Sequence, residues 1–408
     1  MTGRGGQSVR RGWAACVVVA VALLATGRGA GQVLIGPWVE AAQAEAERVR
    51  QREVRVIVLE AGGGVVEGAR VTATLVSHAF ELGVSEPASP TMLQRALAQG
   101  IPLNARAEAP PWHDNAADRD RPLPPPIRRG LTGPLIGTDL ADWPEAVASL
   151  PDAALPTTLF ERLERHARPG RRLLPFGDLL QRPGVIDDRL GNGFIRFAHQ
   201  RLGARHPHTP LGLYAAGGLV GPGQRRMLHA ITRSREAVIP FDFVATSYRS
   251  SSALPPPRLK IELDRLDALK HPLLVTGVQT GGPTALEAAT HAEALLRLLF
   301  ARPEVAGVYF AALTPDAAIE PHAALLDPSG EASAVGRVVA RLFGELWRVR
   351  ESFTTDAAGN AYARLYHGLY RLDVAYPDGA HATTEFRLEP GPERHRVVVQ
   401  ALQHTDPR

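Results

Sequence analysis

Cysteine is all but missing. Cys16 stands alone in the chain, so no disulfide can form within it and no thiolate pair can hold a metal. Lysine is nearly as scarce, with only Lys260 and Lys270, and arginine carries the positive charge; we read this as compositional bias rather than function. The familiar catalytic signatures are also lacking. There is no His-Glu-x-x-His, and His206-Pro207-His208 is too close-set for a zinc pattern and reads as loop histidines. The glycines from Gly217-Gly218 to Gly221-Pro222-Gly223 precede no Lys-Ser/Thr, so they read as a loop rather than a phosphate cradle. No Gly-x-Ser-x-Gly elbow occurs for a serine hydrolase. No cofactor and no metal are implied.

An excess of one charge is missing too, despite a formal +4. Residues 1–31 contain Arg4, Arg10, Arg11 and Arg28 and no acid; without them 42 basic residues face 42 acidic ones. A balanced chain gives no reason to expect nucleic acid as a partner. The same segment couples a basic start to an apolar stretch, Trp13 to Thr26, too short to span a bilayer, with small residues at 27–31. It is expected to be a signal peptide, leaving an exported protein without a membrane span; a retained N-terminal anchor is the alternative.

What is present is a long alternation. Trp38, Ala42, Ala46 and Val49 recur at helical spacing. Glu53 to Leu59 and Val65 to Val76 flank a Gly62-Gly63-Gly64 turn and read as a small β-unit. Strand-like runs follow near 80–85, 101–105, 133–138, 172–180, 211–215, 241–246, 272–278 and 305–311, with helical stretches such as 188–204, 258–269 and 284–300 between them. Eight strands with intervening helices predict a (β/α)8 TIM barrel; an open doubly wound sheet permits the same alternation. Residues 109–130, rich in Pro, Arg and Asp, are expected to be a rim loop. Residues 359–400 alternate again and predict a β-meander. The expected organisation is a signal peptide at 1–31, a helix and β-unit at 32–79, the barrel at 80–347, and the meander with its tail at 348–408.

From Trp38 to Gly391 the chain resembles the family 10 glycoside hydrolases, the xylanase family. The resemblance is carried by ordered segments: Glu67-Gly68-Ala69-Arg70-Val71 with His78-Ala79-Phe80-Glu81-Leu82-Gly83, then Leu263 to Leu269 with Pro272-Leu273-Leu274-Val275-Thr276. Phe300 to Val308, Ala324-Leu325-Leu326-Asp327, and Thr355 to Tyr370 continue it. It implies a sugar-hydrolysing ancestry, and it implies substitutions at the chemistry. The family's Trp-Asp-x-x-Asn-Glu-Pro run, which ends strand four with the general acid/base, corresponds to Gly177-Asp178-Leu179-Leu180-Gln181-Arg182-Pro183. The nucleophile after the strand-seven Thr corresponds to Gly277. The Arg-Gly-His of strand three falls on Ile136-Gly137-Thr138, the Asn-Asp of strand five on Ala216-Gly217, and the Gln-x-His of strand six on Ser247-Tyr248-Arg249. The strand-eight Trp falls on Phe310, followed by Ala311, Ala312 and Leu313, and the Lys-Trp of strand two is echoed only by Pro111-Trp112.

Retaining hydrolysis needs two carboxyls about 5–5.5 Å apart. Gly277 has nothing to attack with, and an arginine stays protonated and cannot cycle as acid and base. The resemblance therefore implies a barrel with no catalytic residues in the family positions, acting as a carbohydrate-binding or scaffold protein with a polysaccharide, a glycan or an unidentified protein as partner. The alternative is an active hydrolase, endo-1,4-beta-xylanase-like, with relocated carboxylates. For that role Asp178, Asp187, Asp188, Glu86 and Asp242 are candidates, each with a structural account: Asp187 and Asp188 suit a helix start, Asp178 a conserved register, and Glu86 and Asp242 solvated loops. Trp112, Trp143, Asp178, Gln181, Tyr248, Arg249 and Phe310 are the candidate ligand contacts, with packing as the rival account of the aromatics.

Overall fold

A computed structural model describes residues 36–85, 88–108, 122–136, 143–178, 186, 189–191, 193–320 and 322–401. The expected signal peptide lies outside them. Among the described residues no helix is long and apolar enough to cross a membrane.

The helix Pro37–Arg50 leads directly into β1 (Gln51–Leu59), and β2 (Arg70–His78) returns after the glycine turn. Eight strands follow: β3 (Glu81–Val84), β4 (Ala105–Glu108), β5 (Arg128–Thr132), β6 (Arg172–Leu173), β7 (Gly212–Ala215), β8 (Phe243–Ser250), β9 (Leu273–Thr280) and β10 (Val305–Phe310). They pair in parallel in the order β6-β5-β4-β3-β10-β9-β8-β7. A parallel bridge between Leu173 and Leu211 joins the two ends of that row. Helices lie between the strands, among them Pro90–Ala98, Leu155–His166, Gly193–Arg205, Gly221–Glu236, Pro256–Asp264 and Ala285–Phe300. The sheet is a nearly closed eight-stranded barrel with interleaved helices, a (β/α)8 TIM barrel.

Three strands differ from the sequence expectation. The second begins where 101–105 was expected to end, the third is Arg128–Thr132 rather than 133–138 and starts inside the stretch expected to be loop, and the fourth is only Arg172–Leu173 rather than 172–180. Both β5 arginines are matched by carboxylates distant in sequence, Arg128 by Glu81 at 2.9 Å and Arg129 by Glu108 at 2.8 Å. That pairing lets so polar a segment join a sheet. Helix starts follow local chemistry more closely. Ala285–Phe300 begins at a capping box, with the Thr284 hydroxyl taking the Glu287 N–H at 3.2 Å and the Glu287 carboxylate taking the Thr284 N–H at 3.0 Å.

The strands after the barrel, β11 (Arg350–Thr354), β12 (Asn360–Tyr366), β13 (Gly368–Ala375), β14 (His381–Leu388) and β15 (His395–Gln400), do not stand alone as a meander. They pair with the first two strands in sheets of order β12-β1-β15 and β11-β2-β13-β14. Both ends of the described chain thus build one two-sheet unit. It is fastened to the barrel by an aromatic cluster: His78 of β2 and Tyr366 of β12 each lie 5.9 Å from Phe300, which stacks on Trp347 at 4.1 Å and meets Phe80 edge-on at 5.2 Å. The Arg50 guanidinium lies over Phe80 and donates to the carbonyls of Phe300 and Val305 at 2.8 and 2.7 Å. Its burial lowers its pKa to about 10.

The barrel's interior is small and filled. Ala105, Ala107, Leu131, Leu174, Phe243, Ala245, Leu274 and Tyr309 form it. Tyr309 is fully buried, and it fits because Gly83 and Gly130 face it; a Cβ at Gly83 would come within 2.5 Å of its ring. Its hydroxyl donates to Glu81, which is only 2% exposed and also receives Arg128 and Arg172. Burial, then the Glu81 charge, pushes the Tyr309 pKa far up, so the phenol remains a donor.

Two predictions follow from this packing. Glu81→Ala strands two guanidinium groups and a buried phenol, so it should cost about 3–5 kcal/mol in urea unfolding. Gly83→Ala should cost about 1–3 kcal/mol through overpacking, and unchanged stability in both would remove the barrel floor from this account. Acid should also destabilise the fold. His199 and His367 are buried and their pKa values fall to about 4, mainly by burial. Their folded pKa values are depressed, so this stability is complete above about pH 6.5 and is lost as pH falls toward 4, at about 1.4 kcal/mol per pH unit for His199 and less for the more solvated His367. Melting curves from pH 7.5 to 4.5 test this, and His199→Gln should flatten the dependence.

Candidate active site at the barrel mouth

Side chains alternate along a strand, so those level with the interior layer decide what reaches the mouth. On β8, Phe243 and Ala245 point inward, and the same phase carries Ser247 and Arg249 to the upper end of the lumen. On β7 Tyr214 packs against the interior layer, and on β9 Leu274 sets the phase that brings Thr276 to the same level. These four line the mouth between β7 and β9. Ser247 also takes the Gly217 N–H at 2.9 Å, ordering the turn after β7. Burial raises the Tyr214 pKa; Asp178 adds to this, while Ser247, Thr276 and the Arg249 charge oppose it. Tyr214 and Thr276 were absent from the sequence candidates. The period of two running from Phe243 and Ala245 would have favoured Ser247 and Arg249 over Tyr248.

Gly277 sits in a β-bulge. Between Ser247 and Arg249 on β8 lies one residue, whereas β9 places Gly277 and Val278 opposite it. On the other side, Thr276 and Gly277 face the single residue Tyr309 of β10. The extra residue adopts φ 59°, a left-handed conformation suited to glycine. Its N–H donates to Ser85 Oγ at 3.3 Å, at the top of β3. A Cβ there would meet only Ser247 Cβ at 3.7 Å, so space exists for a side chain and backbone conformation is the obstacle.

The other sequence candidates divide sharply. Tyr248 is 2% exposed, points out of the lumen, and pairs with His291 at 2.7 Å. Phe310 is 1% exposed and faces the helices in the outer core. Trp143 is 5% exposed within the cluster around Leu159 and Phe176. All three rings are buried among packed side chains rather than exposed at the mouth. Arg249 is exposed at the mouth, and Asp178, half-buried after β6, accepts the Ala216 N–H at 3.2 Å. Asp242, considered as a replacement carboxylate, stands before β8 at the opposite end of the barrel and receives the Leu211 N–H at 2.8 Å. Trp112, Gln181, Arg182, Glu86, Asp187 and Asp188 lie outside the described residues. Sequence reading passed over Glu320, an acid near the upper end of β9. Its backbone N–H donates to Gln279 Oε1 at 3.0 Å, and its carboxylate lies beside Gly281.

Neither family models nor curated proteins match this sequence. Solved structures do match the fold. Xylanase 10B of Thermotoga petrophila, determined with xylobiose, superposes with a TM-score of 0.51 at 14% identity over 65% of this chain and 95% of its own. A psychrophilic family 10 endo-beta-1,4-xylanase gives 0.51 at 12%, covering 64% and 96%. An endoxylanase from a sugarcane soil metagenome gives 0.50 at 12%, covering 64% and 97%. The barrel has the family 10 xylanase fold. Identity this low carries the architecture alone, and function must be argued from the site.

The bulge makes a measurable claim. Gly277→Ala should lower stability by about 1 kcal/mol, through left-handed strain without a clash. A loss as large as that of Gly83→Ala would show that position 277 is packed rather than merely bent.

Proposed function

We propose that this chain is an exported, xylanase-like barrel protein that has lost glycoside hydrolysis and binds carbohydrate at its mouth without cleaving it. One observation carries the reading. The residue aligned with the family nucleophile is a glycine held at φ 59° in a bulge, with Ser85 and Ser247 beside it and Tyr214 near Ser247 and Thr276; among the described residues no carboxylate touches it. Hydroxyls and the Arg249 guanidinium can hydrogen-bond a polyol, but they cannot attack an anomeric carbon and then cycle a proton as two carboxyls do. Arg182, aligned with the acid/base, supports the reading from sequence. Without either group the covalent route has neither nucleophile nor proton donor.

The test pairs activity with binding. Xylan and a panel of neutral polysaccharides should release no reducing sugar, while xylan in a native gel should retard the protein. Arg249→Ala should weaken that retention about tenfold, as expected for losing a hydrogen bond from a charged donor. The double substitution Arg182→Glu with Gly277→Glu should not restore turnover, because a catalytic pair needs a supporting shell as well as its two side chains. Hydrolysis that disappears in Asp178→Asn or Glu320→Gln would replace this reading with that of an active hydrolase with relocated carboxylates.

A further inference from the structure

The outer wall of the barrel carries charge that the mouth does not use. The helix Gly221–Glu236 follows β7 and turns Gly223, Gln224, Met227, Ala230, Ile231 and Ser234 into the core. Its other side presents Arg225, Arg226, His229 and Arg233, all exposed, and among the described residues these four line a shallow groove of about 360 Å³. Some surface arginines stand beside acids, as Arg189 does with Asp152, Arg205 with Glu164, Arg265 with Glu262 and Arg394 with Glu53, whereas here several without such a partner share one helix face. Among the described residues no acid lies within ion-pair distance of Arg225, Arg226 or Arg233. Beyond residue 31 the chain has equal numbers of acids and bases, so this stripe is a local segregation of charge rather than a reflection of overall excess.

Its geometry narrows the partner. Positions 225, 229 and 233 recur every four residues, so at ~1.5 Å per residue the groups follow one line over about 12 Å of helix. The groove is open and shallow, which suits a linear chain rather than an enclosed small molecule. Guanidinium forks bind two oxygens at once, as a planar carboxylate or two oxygens of a tetrahedral sulfate present them. The helix turns its core-packing side chains inward and lines the groove with no apolar anchor, so the groove lacks what an interfacial membrane helix buries. Among the described residues no Phe, Tyr or Trp side chain lines the groove to stack on a base.

We propose that this face is an exosite for a linear anionic polysaccharide bearing carboxylate or sulfate groups, held along the outer wall and independently of the mouth. It rests on the carbohydrate reading of the barrel for the class of polymer; the charge preference comes from the helix itself. Polygalacturonate is the probe, with the full chain and titration by calorimetry. Binding should weaken several-fold when NaCl rises from about 50 to about 200 mM, and the triple variant Arg225→Gln, Arg226→Gln, Arg233→Gln should bind at least tenfold more weakly. Retention by neutral xylan should be unchanged in that variant, whereas Arg249→Ala should show the reverse pattern. Loss of xylan retention alone would sink the mouth reading and leave the exosite standing. Salt-insensitive binding by the unmodified chain overturns the exosite without reliance on any variant. So does full affinity in a triple variant whose melting curve is normal, or tighter binding of duplex DNA or phosphatidylglycerol vesicles than of polygalacturonate.

Discussion

A single buried carboxylate organises the floor of the barrel. Glu81 opens β3, and its oxygens receive Arg128 from the start of β5, Arg172 from the start of β6, and the phenol of Tyr309 from β10. Four strands are thereby tied at one end through one side chain. A buried charge of this kind is weak evidence of net stability, since its desolvation offsets most of the attraction. Its stronger effect is on register. A one-residue slip of β5 or β6 would turn an arginine away from its partner and send the interior residues of that strand outward. The glycines Gly83 and Gly130 complete the constraint, because Tyr309 reaches Glu81 only where no Cβ stands in its way.

The mouth inherits its phase from that floor. With Phe243, Ala245, Leu274 and Tyr309 fixed inward, Ser247, Arg249 and Thr276 reach the upper lumen by alternation, and Tyr248 and Phe310 are sent into the helical layer. Alternation fails at one place. Val275 and Val278 both face the outer core although three positions separate them, so two successive residues, Thr276 and Gly277, lie between them on the lumen side. The bulge therefore aims position 277 at the cavity and at the same time imposes a backbone that favours glycine. A carboxylate introduced there would gain a place to stand and inherit the strain.

How much of this could be read from the chain depended on how local the cause was. The eight-strand alternation, the helix 37–50 and the helix 284–300 were legible, because hydrophobic period and a capping box act within a few residues. Strand β5 was not, because Arg128 and Arg129 look like loop until Glu81 and Glu108 are seen beside them. The pairing of β1 with β12 and β15, and of β2 with β11 and β13, joins segments about three hundred residues apart, and no local pattern announces it. At the site, the period of two from Phe243 and Ala245 separates Ser247 and Arg249 from Tyr248, whereas the burial of Phe310 and Trp143 depends on helices packed from elsewhere in the chain.

The acids complete the case at the mouth. A retaining pair must face each other with free oxygens. Asp242 is occupied at the floor, where it takes the Leu211 N–H. Glu108 ends β4 out of phase with the inward-facing Ala105 and Ala107, and pairs with Arg129 outside the lumen. Asp178 is at the correct end but receives the Ala216 N–H, the bond that shapes the turn after β7. Among the described acids near the barrel ends, Asp242, Glu108 and Asp178 each have a structural partner, Glu320 lies beside Gly281, and Arg249 is the exposed cation beside the mouth hydroxyls.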